Sequence, residues 1–289
     1  MQQNASTVRN PADNFEFFVR TWKPTTIKKV LVVQHGFGEH SGRYGNLIAA
    51  LENENTAVYA LDARGHGKTP GKRGHIDDFN SYAADLAVLI AKARKENPSA
   101  PMILLGHSMG GQISLCIAAQ LAPQRVTRLI DVAGVTSGRL QPYPRYVVLP
   151  RARVAQAFPF LVDLSRAAAR VSAYRRFEFY TWSLNHVPLA EWDEDVELVL
   201  PPGCQHAIYP SGKAIISTDL SNAIRAIQAP TRVIFGTADR VVPPSEGDLV
   251  AQQVADCRLV HLDGAGHFPM LECREQFHAA LNTFLSEAG

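Results

Sequence analysis

The stretch PMILLGHSMGGQISLCIAAQLAP, residues 101–123, decides the fold. Its first third, Met102 to Leu105, is a short apolar run that ends at glycine, as a buried strand does. Its last half, Gln112 to Leu121, carries apolar residues at helical spacing and stops near Pro123. Between them one serine, Ser108, is bracketed by Gly106 and Gly110. Glycine is costly in regular structure, so a pair around a serine implies a tight turn. Strand, sharp G-x-S-x-G turn and helix together lift the serine hydroxyl off the sheet edge, the context of a nucleophile elbow.

The same rhythm extends outward in both directions. KKVLVVQHG and TAVYALDARGHG read as strands running into glycine turns, and RYGNLIAALENEN and FNSYAADLAVLIAKARKENP read as helices. FEFFVRTW alternates well enough for an early edge strand. After Ser108 come the strand VTRLIDVAGV, then, much later, APTRVIFGTADR, PSEGDLVAQQVA, CRLVHLDGAGHF and a closing helix REQFHAALNTFLSEA with Phe277, Leu281 and Phe284 on one side. Alternating strands and helices predict a mostly parallel central sheet with helices on both faces. Right-handed crossovers then collect the post-strand loops along one sheet edge.

From Gly138 to Asn222 the alternation stops. This stretch holds many prolines, Trp182 and Trp192, and is too apolar for a disordered linker. It is expected to form an inserted, largely helical cap, so that residues 1–137 and 223–289 make the core and 138–222 the cap. A peripheral helical layer with no part in binding is the alternative.

Composition narrows the function. A net charge of +2 over 289 residues gives no hint of a nucleic-acid partner. No run of some 18 apolar residues appears, so no membrane span is expected, and the N-terminal segment lacks a signal peptide's apolar stretch. Cys116, Cys204, Cys257 and Cys273 form no CxxC pair or metal spacing. A cytoplasmic protein without metal or cofactor is the expectation; nothing indicates an oligomeric state.

A serine nucleophile needs a base, and that base needs a carboxylate. Of ten histidines, His35, His40, His66 and His267 lie in loops after strands. His267, between glycines and the closing helix, is best placed to reach over the sheet edge. His107 is expected to point away from Ser108. His186, His206 and His278 read as cap or helix-surface residues, and His261 as a partly buried strand residue. Asp239, on the loop after the preceding strand, gives the chain order Ser, Asp, His. Asp131, near the end of the strand before the cap, is a second candidate; Asp263 reads as a turn residue. The amides of Met109 and Phe37 are the expected oxyanion donors, the latter because Gly36 and Gly38 let its loop turn inward. Gly111 is expected to ease entry into the helix.

With these residues in place, the chain resembles the α/β-hydrolase superfamily over nearly its whole length. HGFGEHSGRY, LDARGHGKTPGKRGHIDDFNSY and GHSMGG are similar to the monoacylglycerol lipase and lysophospholipase branch, also grouped with serine aminopeptidase-like hydrolases. The resemblance implies Ser108, Asp239 and His267 as catalytic residues and Phe37 and Met109 as oxyanion donors. It also implies Glu39 and Arg43 near the mouth of the site as candidate substrate contacts, against the plainer reading of a surface ion pair. The loop DGAGHFPMLE departs from that branch toward carboxylesterases and ring-cleavage hydrolases, and the cap sequence matches no assignable pattern. The implied activity is hydrolysis of a small hydrophobic carboxylic ester. Thioesterase, amidase or peptidase, and carbon–carbon hydrolase keep the same machinery; a non-catalytic ligand-binding protein on this fold is the alternative from another class. Cap aromatics leave room for contact with a lipid surface.

Overall fold

Strand β3 (Lys29–Gln34) sets the pattern for the core. Val30 and Val32 pack into one hydrophobic cluster, Leu31 and Val33 into the other. Side chains alternate across a strand, and here both faces are covered, so the strand reads as an unbroken apolar run. The computed structural model describes residues 1–51, 55–72, 74, 78–121, 125–158, 160–169, 171 and 208–286.

Eight strands form one sheet: β1 (Gln2–Arg9), β2 (Glu16–Lys23), β3, β4 (Thr56–Leu61), β5 (Met102–His107), β6 (Arg128–Val132), β7 (Thr231–Gly236) and β8 (Cys257–Leu262). Their spatial order is β1-β2-β4-β3-β5-β6-β7-β8. From β4 to β8 the pairings are parallel; β1 and β2 are antiparallel to their neighbours. Helices α1 (Gly45–Ala50), α2 (Phe79–Glu96) and α3 (Met109–Gln120) connect the first parallel strands. Leu86, Leu89 and Ile90 of α2 join Ile113 and Ile117 of α3 on one face. Leu47 and Ile48 of α1 lie on the other, with Phe277, Leu281 and Phe284 from the closing helix. These are the stripes expected from helical spacing.

The chain adds β4 on one side of β3 and then β5 on the other. The loops leaving β3 and β5 therefore diverge, which opens a crevice at the carboxyl ends of these two strands. Gln34 pairs in register with Gly106, so both loops depart at the same level.

One expectation fails at the sheet's far end. FEFFVRTW is not an edge strand: β2 lies inside β1, which forms the edge. All but one residue of β1, QQNASTVR, are exposed, so it has no apolar alternation to betray it. It is held by its eight-residue antiparallel register with β2 rather than by burial.

Between β6 and β7 the described chain forms one π-helical turn (Pro144–Val148), then α4 (Leu149–Ala157), α5 (Phe160–Ala169) and α6 (Ile208–Ser217). Helix α4 ends at Phe158, the residue before Pro159, where the α region is disfavoured. Trp182, His186, Trp192, Cys204 and His206 lie outside the described residues. The core resumes with α7 (Ser245–Gln253), the single turn α8 (Pro269–Glu272) and α9 (Arg274–Ser286). Among the described helices, none is long and apolar enough to cross a membrane.

Candidate active site

Ser108 sits at the turn between β5 and α3 with φ 55° and ψ −117°. A non-glycine residue held there stores roughly 1–3 kcal/mol of backbone strain, which the surroundings must over-determine. They do so through Ser108 N donating to Val132 O at 2.9 Å and Gln112 N donating to Ser108 O at 3.1 Å. The flanking glycines are obligatory. A Cβ on Gly106 would sit 2.2 Å from Gly110 O, and one on Gly110 would sit 2.2 Å from Gln34 O. Gly111 has a different reason from the expected one: a Cβ there would lie 2.2 Å from an Asp131 carboxylate oxygen.

The crevice brings the predicted partners together. His267 Nε2 lies 2.9 Å from Ser108 Oγ, and His267 Nδ1 lies 2.9 Å from Asp239 Oδ2. All three residues are buried. Asp239 follows β7 and His267 follows β8, two neighbouring parallel strands whose exits stand side by side. Asp239 Oδ1 accepts from Val241 N at 2.7 Å and Val242 N at 2.9 Å, so its carboxylate cannot swing away. With Nδ1–H donating to Asp239, Nε2 is left to accept the serine proton.

The loop after β3 closes the other side. A Cβ on Gly36 would lie 3.2 Å from Ser108 Cβ, so this backbone, which continues into Phe37, runs against the serine. Glu39 fixes that loop by accepting from Gly36 N at 2.9 Å. The same carboxylate takes Tyr44 OH at 3.0 Å and Arg43 Nη1 at 3.2 Å. Glu39 and Arg43 are therefore not a surface pair: their side chains are 6% and 8% exposed. Glu39 faces inward onto protein groups, and Arg43 also lies over the Phe268 ring. Burial pushes the Glu39 carboxyl up, but the His107 imidazole and the Arg43 guanidinium outweigh it and hold the group well below the usual range.

His107 does not bond Ser108, yet it is far from idle. Its Nε2 donates to His267 O at 2.8 Å, and its Nδ1 faces Glu39 Oε2 at 3.3 Å. Burial works against its charged form, while the Glu39 carboxylate more than compensates and raises its pKa. The other early histidines serve the loops. His35 Nε2 accepts from Ala63 N at 2.8 Å, and His40 Nδ1 accepts from Gly42 N at 3.1 Å. His66 packs its ring against Phe37. His261 is exposed rather than partly buried, because β8 ends the sheet, and it faces Asp248 of α7 at 3.5 Å.

Asp131, the rival acid, does not hydrogen-bond His267. It is buried beneath α3, and neither carboxylate oxygen has a hydrogen-bond partner among the described residues. Burial pushes it up to about 7, with the His107 side opposing and Glu246 reinforcing. Two glutamates escaped the sequence reading. Glu246 of α7 accepts from Thr136 N, Ser137 N and Ser137 Oγ at 2.6–2.7 Å, tying the loop after β6 to the segment that follows Asp239. Glu272 accepts from the amides of Gly266 and Phe268. Side-chain bonds to backbone have no fixed spacing to reveal them, though a proline-started turn ending in Glu, as in HFPMLE, is a usable signal. Among the described residues, no cluster of three or more His, Cys, Asp or Glu side chains is arranged to hold a metal ion.

A mostly parallel sheet, a strained serine elbow at its switch point, and a histidine and aspartate on later strand exits define an α/β-hydrolase. Residues 25–274 match the family described as "Serine aminopeptidase, S33", and the chain belongs to it. It is 28% identical to a monoacylglycerol lipase of Mycolicibacterium smegmatis over 240 residues, 81% of this chain and 79% of that one. It is 43% identical to the monoglyceride lipase of Rattus norvegicus over 110 residues, 38% of this chain and 36% of the relative. Among solved structures, an esterase from Exiguobacterium antarcticum superposes with a TM-score of 0.78, covering 97% of this chain and 99% of the esterase. At 19% identity that likeness speaks to the fold.

Proposed function

We propose that this chain is a serine hydrolase that cleaves carboxylic esters through an acyl-enzyme, with Ser108 as nucleophile, His267 as base and Asp239 as its orienting acid. The observation that carries the reading is the unbroken line Ser108 Oγ, His267 Nε2, His267 Nδ1, Asp239 Oδ2, with 2.9 Å at each hydrogen bond. Ser108 Oγ attacks the ester carbonyl carbon as its proton passes to His267 Nε2. The amides of Phe37 and Met109 receive the negative charge on the carbonyl oxygen, helped by the positive end of α3. Collapse breaks the carbon–oxygen bond, and His267 gives its proton to the departing alkoxide. Water then yields a proton to His267 and attacks the acyl carbon; collapse breaks the bond to Ser108 Oγ, which takes that proton back from His267, and the acid leaves. Asp239 holds the imidazole in the productive tautomer and stabilises its cation.

For the substrate we favour a monoacylglycerol or lysophospholipid, since relatives over the same fold carry monoacylglycerol lipase names. We assign residues 138–222 the role of a cap, on the break in strand–helix alternation there. Tyr146, Phe158, Phe160 and Leu164 expose their rings or chains on its described helices, with Arg145, Arg151 and Arg153 nearby in sequence. That combination suits a lipid–water interface, where apolar groups insert and arginines meet phosphate. A peptidase reading is favoured by the family's description alone.

One experiment separates these. A fluorophosphonate should label the wild-type protein and leave Ser108→Ala unlabelled. A panel of glycerol esters, p-nitrophenyl esters, thioesters and aminoacyl amides should then give the highest kcat/KM on esters. Labelling that survives Ser108→Ala removes the serine mechanism, and preference for aminoacyl amides over every ester turns the assignment to a peptidase.

A further inference from the structure

The imidazole of His267 is held by Asp239, but a side chain is only as well placed as the backbone that carries it. That backbone belongs to a post-strand loop with glycines at Gly264 and Gly266, residues that leave a chain conformationally free. Three side-chain bonds remove this freedom. Gly266 N donates to Glu272 Oε2 at 2.8 Å, Phe268 N donates to Glu272 Oε1 at 2.9 Å, and His267 O accepts from His107 Nε2 at 2.8 Å. The amides on both sides of His267 are thus gripped by the two oxygens of one carboxylate. Pro269 starts the turn α8, and its bonds Leu271 N to Phe268 O and Glu272 N to Phe268 O bring Glu272 back over the loop. From the other side the loop abuts β7: a Cβ on Gly236 would lie 2.2 Å from Ala265 O.

We propose that Glu272 is a positioning residue for the reaction: its carboxylate, bonded to the amides flanking His267, keeps the imidazole in line with both Ser108 and Asp239. The proposal rests on the triad reading above. Two oxygens and two convergent N–H groups make a matched set. A carboxamide matches only one of them, because its NH₂ meets the second amide donor to donor. Small displacements of a base are expensive in rate, since proton transfer needs the heavy atoms within hydrogen-bond reach. A loop cap of purely structural value would instead affect unfolding and leave turnover at moderate temperature alone.

The test compares wild type, Glu272→Gln, Glu272→Asp, Glu275→Gln and Ser108→Ala on a short-chain p-nitrophenyl ester. Rates are taken per site labelled by exhaustive fluorophosphonate reaction, so partly folded material does not imitate the effect. Glu272→Gln is expected to lose roughly ten- to a hundredfold in kcat, the scale of ångström-level misplacement, with KM held within about twofold. The rate of fluorophosphonate inactivation should fall by the same factor, and Glu272→Asp, which retains both oxygens, should recover part of it. Glu275→Gln removes an exposed carboxylate three residues on and should match wild type. A kcat for Glu272→Gln within twofold of wild type, a change confined to KM, or an equal loss in Glu275→Gln overturns the proposal. Failure of the triad reading is seen separately: wild type takes no label, or Ser108→Ala turns over, and the positioning role falls with it.

Discussion

Asp239 gives one carboxylate oxygen to His267 Nδ1 at 2.9 Å while its other oxygen is fastened to the amides of Val241 and Val242. The carboxylate is therefore fixed by its own loop independently of the histidine. Asp239→Asn keeps the shape but presents an amide to Nδ1, which favours the wrong tautomer. Turnover should fall by about 10⁴, the order found when such an acid is amidated elsewhere. Asp131→Asn should leave kcat/KM within a few-fold. Steady-state kinetics on the two variants decide between the acids; the reverse pattern would move the role to Asp131.

Asp131 makes stability depend on pH. Burial holds it up to about 7 in the folded protein, whereas an unfolded aspartate titrates near about 3.9. Between these values the folded state binds more protons than the unfolded one, so stability falls as pH rises. The contribution is complete below the unfolded value and is lost as pH climbs through about 7. Melting temperatures from pH 4 to 8, on the order of that window, should decline more steeply for wild type than for Asp131→Asn. Parallel curves would mean that Asp131 is already ionised throughout.

The same carboxyl group explains a glycine outside the serine motif. A Cβ on Gly134 would sit 2.0 Å from Asp131 Oδ1. Gly134→Ala should destabilise the fold by about 1–3 kcal/mol, as overpacking does. Pairing it with Asp131→Ala should cost less than the sum of the two single changes, because the clash and the side chain leave together. Urea unfolding of the four proteins measures this coupling.

Glu246 is buried and takes three hydrogen bonds from Thr136 and Ser137. Glu246→Ala leaves two amides without their acceptor and should destabilise by about 2–4 kcal/mol. Proteolysis should then strike first within residues 138–222, if the junction is what fails; cleavage spread over the core would argue for global loosening instead.

Much of the fold and of the site is legible in the sequence, for specific reasons. β3 and β5 announce themselves because both faces of each are buried, so apolar residues run on without a gap. Ser108, Asp239 and His267 are legible because the chemistry demands three residue types at strand exits in one chain order. β1 was not legible, since its residues are exposed and its identity comes from pairing with β2. Nor was the inward turn of Glu39: Gly36 and Tyr44 are close in sequence, but its third partner, His107, stands on β5 and meets it only when β3 and β5 pair. Gly111 was assigned to helix entry, but its neighbour Asp131 comes from another strand and left no mark near it in sequence.

The place of β8 at the end of the sheet has a consequence for what holds the proposed triad together. Ser108 and Asp239 belong to strands that are in place once β7 has paired with β6, but the proposed base rides on the exit of β8, which pairs with β7 alone. The proposed nucleophile and acid thus rest on pairings that do not involve β8, while the proposed base depends on it. The proposed triad is therefore completed by a single strand pairing at the sheet's edge, and loss of that pairing alone would remove its base.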